Sequence, residues 1–152
     1  MIKLIDFATI LQVWQKNLWP NRVSAIESNS AMIYLGGIEG KNMLTTPTFF
    51  GYFHDNNLAG VNSGHLCADN SYRSRGLYVF PEYRGMGIGS KLLTATIQQA
   101  EVEEATLVWS LPRRTSWNTY RRAGFTQTSD WFKTETSDEN AYCAFDLMGK
   151  QI

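Results

Sequence analysis

Leu77-Tyr78-Val79-Phe80-Pro81-Glu82-Tyr83-Arg84-Gly85-Met86-Gly87-Ile88-Gly89-Ser90 reads as a strand that runs into a glycine-rich turn and out into a helix. The apolar, aromatic run up to Phe80 is strand-like, and Pro81 stops it. Glycines at 85, 87 and 89 remove the Cβ atoms that would hold a bound group away from the backbone. The unpaired N–H groups of the helix's first turn, and its dipole, favour an anion there. The segment is therefore built for a phosphate-bearing ligand, with a pyrophosphate as its natural guest. Two familiar phosphate motifs fail on detail. No Lys-Ser or Lys-Thr closes the turn, so it is not a Walker A loop. The glycines are spaced at two rather than as G-x-G-x-x-G, and Glu103 and Glu104, near the distance where a dinucleotide fold needs an acid, fall on the helix instead of a strand end.

Outward from that turn, the helix opened by Ile88 extends to about Glu104, with Leu92, Leu93, Ala95, Ile97 and Ala100 including spacings suited to packing on a sheet. A short buried strand over 105–110 and a short helix over 115–123 follow, with Gly124 as that helix's C′ residue. The chain ends as a hairpin, 130–136 against 141–148 across a turn at 137–140. On the other side, strands over 48–54, 58–67 and 75–80 are separated by turns at Asp55-Asn56-Asn57 and Asp69-Asn70. A first helix occupies 5–19 and is ended by Pro20. A second begins near Ser24, where Ser24 and Glu27 match a capping box, and frays into Gly36-Gly37. A loop over 38–46 follows. The order ααβββαβαββ describes one α+β domain over residues 1–152 with a mixed sheet.

Composition narrows the function classes. The chain has 152 residues, enough for one core, and 14 basic against 14 acidic side chains. A chain that grips nucleic acid through phosphates shows a basic excess, so this balance disfavours a nucleic-acid partner. Cys67 and Cys143 lie far apart in sequence and form no metal-type pair; they read as reduced thiols. Residues 1–19 lack a signal-peptide pattern and no stretch approaches a membrane span. A cytoplasmic location without a membrane partner is expected, and no metal.

Arg84-x-x-Gly87-x-Gly89, following Val79-Phe80-Pro81-Glu82-Tyr83, resembles the acetyl-CoA motif of the GNAT N-acetyltransferase superfamily. Downstream, Tyr120-Arg121-Arg122-Ala123-Gly124-Phe125 resembles that family's Y-x-x-x-G-F segment, and a helix, a strand and a short helix fit between the two. The resemblance covers nearly the whole chain. It implies a mixed, mostly antiparallel twisted sheet flanked by helices, acetyl-CoA as acyl donor, an amine acceptor, and an enzyme that joins them by direct attack. It admits a homodimer, which is common in the family.

The resemblance also assigns residues. Backbone N–H groups of Arg84, Gly85, Met86, Gly87, Ile88, Gly89 and Ser90 would hold the CoA pyrophosphate. Leu77, Tyr78 and Val79 would hydrogen-bond the pantetheine arm, with the Val79 N–H facing the thioester carbonyl. Tyr120 would be the general acid to the departing thiolate. The carboxylate base that many members carry on the strand before the turn is missing here. His65 is the nearest candidate, followed by Asp69, His54 and Asp55. Asn62 and Ser63 lie on a strand facing the family's acceptor cleft and are candidate substrate contacts. Many members have Asn and Ala seven and four positions before the Tyr; here Arg113 and Ser116 stand there, which puts a pantetheine contact in doubt and leaves Arg113 either as an anion contact or as a solvated loop residue. Arg73 and Arg75 read either as attractors of an acidic acceptor or as ordinary exposed arginines. Two other functions stay open: a non-catalytic acyl-CoA-binding module, and an acyltransferase acting on a macromolecule such as a protein N-terminus, a lysine or an aminoacyl-tRNA.

Overall fold

The computed structural model describes residues 1–28, 30, 32, 34–35 and 46–148. Its seven strands are β1 (Ile2–Leu4), β2 (Thr48–His54), β3 (Asn57–Leu66), β4 (Tyr72–Val79), β5 (Leu107–Ser110), β6 (Thr126–Gln127) and β7 (Cys143–Asp146). They form one sheet in the order β1-β2-β3-β4-β5-β7-β6. Every pairing is antiparallel except β4 with β5. The parallel pair needs a crossover, and α2 (Ile88–Val102) supplies it. The expected α+β architecture, a mixed and mostly antiparallel sheet flanked by helices, is the one observed.

Helices cover both faces because strand side chains alternate. On one face α2 buries Ile88, Leu92, Leu93, Thr96, Ile97 and Ala100. There Leu66, Tyr72 and Val108 meet Leu93 and Ile97, with Tyr120 and Phe125 of the α3 (Trp117–Arg122) region closing the cluster. On the other face α1 (Phe7–Val13) packs Ile10, Val13 and the following Trp14 against Val61. Asp6 caps α1 by accepting the Thr9 N–H at 2.9 Å. The helix then widens into a π turn over Trp14–Leu18, closed by Trp19 N–H to the Trp14 carbonyl at 2.7 Å, and ends before Pro20 as expected.

Three expectations are corrected. Residues 2–4 pair with Phe50–Tyr52 as an extra edge strand. Residues 24–28 are not helical: the Ser24 N–H and hydroxyl both go to the Glu135 carboxylate, at 3.1 and 2.9 Å, so the capping box is spent on a distant loop. Most of the rest of that expected helix and of the 38–46 loop lies outside the described residues. The C-terminal hairpin is also different. β7 pairs with β5 and with the two-residue β6, while 130–136 contributes only a bridge from Phe132 to Asn140.

Candidate active site

The site is created by a fault in β4. Val61 pairs with Tyr78, but Ser63 pairs with Arg75, so Gly76 and Leu77 together oppose Asn62. This is a bulge, and Gly76 takes the left-handed conformation it requires (φ +79°). A Cβ on Gly76 would stand 2.3–2.5 Å from three atoms of the Trp14 indole, and the Trp14 N–H donates to the Gly76 carbonyl at 2.9 Å. Beyond the bulge β4 leaves β5: their ladder contains only Tyr72–Val108 and Arg73–Trp109. Leu77, Tyr78 and Val79 therefore carry backbone toward an opening instead of a neighbour. Phe80 N–H donates to Ala59 across the β3 side, so by the alternation of an antiparallel ladder the Val79 N–H points the other way, into the opening. The Val79 carbonyl accepts from Arg84 Nε at 2.9 Å.

α2 starts at the end of this opening. Gly85 and Gly87 have φ of +82° and +77°, and no atom lies within 4 Å of where a Cβ would stand on either. Gly87 is the N-cap residue and no side chain caps the helix. The N–H groups of Ile88, Gly89 and Ser90 consequently have no intrahelical acceptor. Gly89 is close-packed instead, with its missing Cβ 2.8 Å from the Thr119 methyl of α3. A positive, uncapped helix end facing open space fits a pyrophosphate. Arg84 is different from its neighbours: its own N–H turns back to the Pro81 carbonyl, so that donor does not face the space.

Two cavities meet here. One, of about 500 Å³, follows Leu77–Val79, the glycine turn, Ile88–Ser90 and Thr119. The other, of about 390 Å³, lies beyond Leu77 and is walled by Arg73, Arg75, Ser110, Tyr120, Arg22 and Glu135. Leu18, Leu77, Arg113 and Ser116 line both. Arg113 is fixed there by a hydrogen bond to the Leu18 carbonyl. Tyr120 is 3% exposed, and its hydroxyl lies 3.4 Å from Ser110 Oγ. Burial drives its pKa well above the ordinary phenol value, against smaller opposing pulls from Ser110 and Arg73, so it holds its proton at neutral pH.

The Gly-turn residues, Leu77–Val79 and Tyr120 thus come together around connected cavities. Asn62, Ser63 and His65 do not join them. Asn62 points under α2, donating to Ser74 and Thr96 hydroxyls at 2.9 Å each. The Ser63 hydroxyl donates to the Arg75 carbonyl at 2.8 Å. His65 is 1% exposed and lines neither cavity. Burial, reinforced by the charges of Arg73 and Arg75, lowers its pKa to about 3, so its ring is neutral and a feeble base. Among the described residues neither ring nitrogen makes a hydrogen bond of good geometry, although the Ser30 backbone lies near enough to favour the charged form slightly. All three are buried on β3 away from the residues that line the two cavities. His54 pairs weakly with Asp55 on the far hairpin, at 3.5 Å, and Asp69 accepts from Ser71 in its own turn.

A family model described as "Acetyltransferase (GNAT) family" matches residues 11–125. The chain belongs to the GNAT acetyltransferase family. Solved structures agree on the fold. A putative N-acetyltransferase from Lactobacillus plantarum is 17% identical with a TM-score of 0.69, covering 97% of this chain and 99% of its own. The ribosomal-protein-S18-alanine N-acetyltransferase from Escherichia coli is 13% identical with a TM-score of 0.62, covering 97% and 93%. An acetyltransferase from Bacillus subtilis, solved in complex with CoA, is 15% identical with a TM-score of 0.57, covering 67% and 78%. No curated protein matches the sequence. No helix among the described residues is long and apolar enough to cross a membrane.

Within this GNAT domain the residues that sequence reasoning undervalued are Arg73 and Arg75. Both were open to reading as surface arginines, yet they are 8% and 4% exposed. Arg73 lies over the Trp109 ring at 4.8 Å, and Arg75 lies against both Trp14 and Trp19 at 5.0 and 5.3 Å. The signal was present: two arginines at period two, following Tyr72 on a central strand, point to one face.

Proposed function

We propose that the protein is an N-acetyltransferase that carries acetyl from acetyl-CoA to a primary amine. The observation that carries this reading is the uncapped start of α2 behind Gly85 and Gly87, opening into a cavity that runs along Leu77–Val79 to Tyr120. The backbone N–H groups from Gly85 to Ser90 hold the pyrophosphate, and the edge of β4 holds the pantetheine arm. Acetyl-CoA supplies an activated thioester carbonyl. Val79 N–H donates to that carbonyl's oxygen as negative charge develops on it. The amine lone pair forms the C–N bond, the C–S bond breaks, and the Tyr120 hydroxyl gives its proton to the sulfur. The phenolate is strongly basic in its buried setting and regains a proton, the one the nitrogen must lose.

The amine must arrive neutral. Among the described residues lining the second cavity, Glu135 is the single carboxylate, and it already accepts from Val23, Ser24 N–H and the Ser24 hydroxyl. The cavity's positive charge does this work: arginines close to an ammonium lower its pKa and favour the free amine.

Tyr120→Phe tests the catalytic reading against a binding module. Thiol release from acetyl-CoA, measured with an amine panel, should fall by about 10²–10⁴-fold in the variant. Acetyl-CoA affinity by calorimetry should stay within about twofold. Equal turnover in the two proteins refutes the role of Tyr120, and a wild type that binds acetyl-CoA yet releases no thiol with any amine favours the binding module.

A further inference from the structure

We infer that the second cavity selects an acceptor amine that also carries a carboxylate, a small amino acid, and that Arg75 with Arg73 grips that carboxylate. The inference rests on the acetyltransferase reading above and adds the acceptor's class to it.

Four observations converge. The cavity wall holds five cationic side chains, Arg22, Arg73, Arg75, Arg113 and Lys133, against the single carboxylate of Glu135. Glu135 is exposed and already committed to Val23 and Ser24. Second, neither buried guanidinium has an ion-pair partner among the described residues, where the two pairs present are His54–Asp55 and Arg114–Glu139. Third, their hydrogen bonds are incomplete. Arg73 gives one to the Ser30 hydroxyl at 2.6 Å and Arg75 one to the Glu27 carbonyl at 2.7 Å, while Arg73 Nε is buried with no partner among the described residues. Fourth, each guanidinium packs against indole rings and gives a hydrogen bond to the fold, contacts that restrict its position before any ligand arrives.

Burying two like charges side by side is costly, and a chain that needed only packing would place apolar residues there. Burial is the main force lowering the pKa of Arg75 to about 9 and of Arg73 to about 10, with Arg73 and Arg22 adding to it at Arg75, so both remain cationic at neutral pH. An anion in the cavity removes the penalty. A planar carboxylate matches the guanidinium fork in two parallel hydrogen bonds. The cavity volume, about 390 Å³, suits a small molecule, and Tyr120 on its wall places the amine of such a molecule beside the reacting sulfur. A free α-amino acid presents both groups; a peptide N-terminus and a plain alkylamine do not.

The test uses the full chain, with acetyl-CoA affinity by calorimetry as one readout and thiol release as the other. The acceptors are the common amino acids, their amides, the matching decarboxylated amines, and phosphoethanolamine. The wild type should acetylate at least one amino acid with kcat/KM at least about 100-fold above its amide and its decarboxylated amine. Arg75→Gln should erase that preference and leave acetyl-CoA affinity unchanged. Arg75→Lys, which keeps the charge and loses the fork, should retain folding and lose most of the preference. The inference is overturned if the amides or plain amines are acetylated as well as the acids, if phosphoethanolamine is preferred, if no carboxylate-bearing amine is accepted, or if Arg75→Lys keeps the full preference. A wild type that fails to bind acetyl-CoA overturns the acetyltransferase reading itself.

Discussion

Gly76→Ala probes the bulge on which the site depends. At φ +79° an alanine carries the left-handed penalty of its Cβ, about 1–2 kcal/mol. The new carbon would also stand 2.3–2.5 Å from the Trp14 indole. Trp14 is fully buried, its N–H is bonded to the Gly76 carbonyl, and Phe7 and Trp19 pack on it with ring centroids at 6.5 and 5.1 Å, so the ring has nowhere to retreat. Overpacking of that kind costs about 1–3 kcal/mol. The sum, about 2–5 kcal/mol, is a large part of a domain's ordinary stability and corresponds to a fall in Tm of about 5–15 °C. Urea denaturation followed by tryptophan fluorescence measures it. Because the bulge aims Leu77–Val79 at the cavity, acetyl-CoA affinity should also weaken in whatever fraction remains folded. A loss below about 1 kcal/mol with unchanged affinity would refute the reasoning: the bulge would then be neither strained without glycine nor needed to shape the cleft.

Two further outcomes follow from the buried polar residues of β3. His65 titrates near 6.5 when unfolded and at about 3 when folded, so between those values the unfolded chain binds the extra proton. Its stabilising contribution is therefore complete above pH 6.5 and is lost as pH falls toward 3. Lowering pH from 7.5 to 5 should cost roughly 2 kcal/mol through this residue, and His65→Gln should flatten that part of the urea-midpoint profile; identical profiles would contradict the assignment. Asn62→Ala should cost about 1–3 kcal/mol by removing the donations to Ser74 and Thr96, with kcat/KM for the acceptor nearly unchanged, whereas a selective loss of kcat/KM would restore Asn62 to the acceptor site.

The glycine turn and α2 were legible in the sequence because their chemistry is local: a strand stop, three glycines and an amphipathic run lie within a few residues of one another. The strands that failed to announce themselves are the short ones. β1 has three residues and β6 two, too few for alternation to register, and their partners are distant: Phe50–Tyr52 for β1, and Cys143 and Ala144 for β6. The helix expected from Ser24 failed because Glu135, 111 residues away, takes the Ser24 N–H that a capping box would have used and holds the Ser24 hydroxyl as well. Long-range partners overrode local propensity there. Site chemistry followed the same division. The place of Tyr120 beside the cavity was legible from a motif. The environment of Arg75 was not, since it depends on a π turn that brings Trp14 and Trp19 within 5.1 Å of each other, and that turn has no plain sequence signature. The burial of His65 and Asn62 away from both cavities was not legible, because strand alternation tells which residues share a face but not whether that face opens to a cavity or is sealed by packing.

The uncapped start of α2 is where we propose that the pyrophosphate of acetyl-CoA is held. Calorimetric titration of the chain with acetyl-CoA, beside Gly87→Glu, addresses it most directly. That substitution places a carboxylate at the helix end where the anion should sit. Micromolar binding by the wild type and none by the variant are expected, with the variant's far-ultraviolet circular dichroism unchanged. A folded wild type that does not bind, or a variant that binds as tightly, would contradict it.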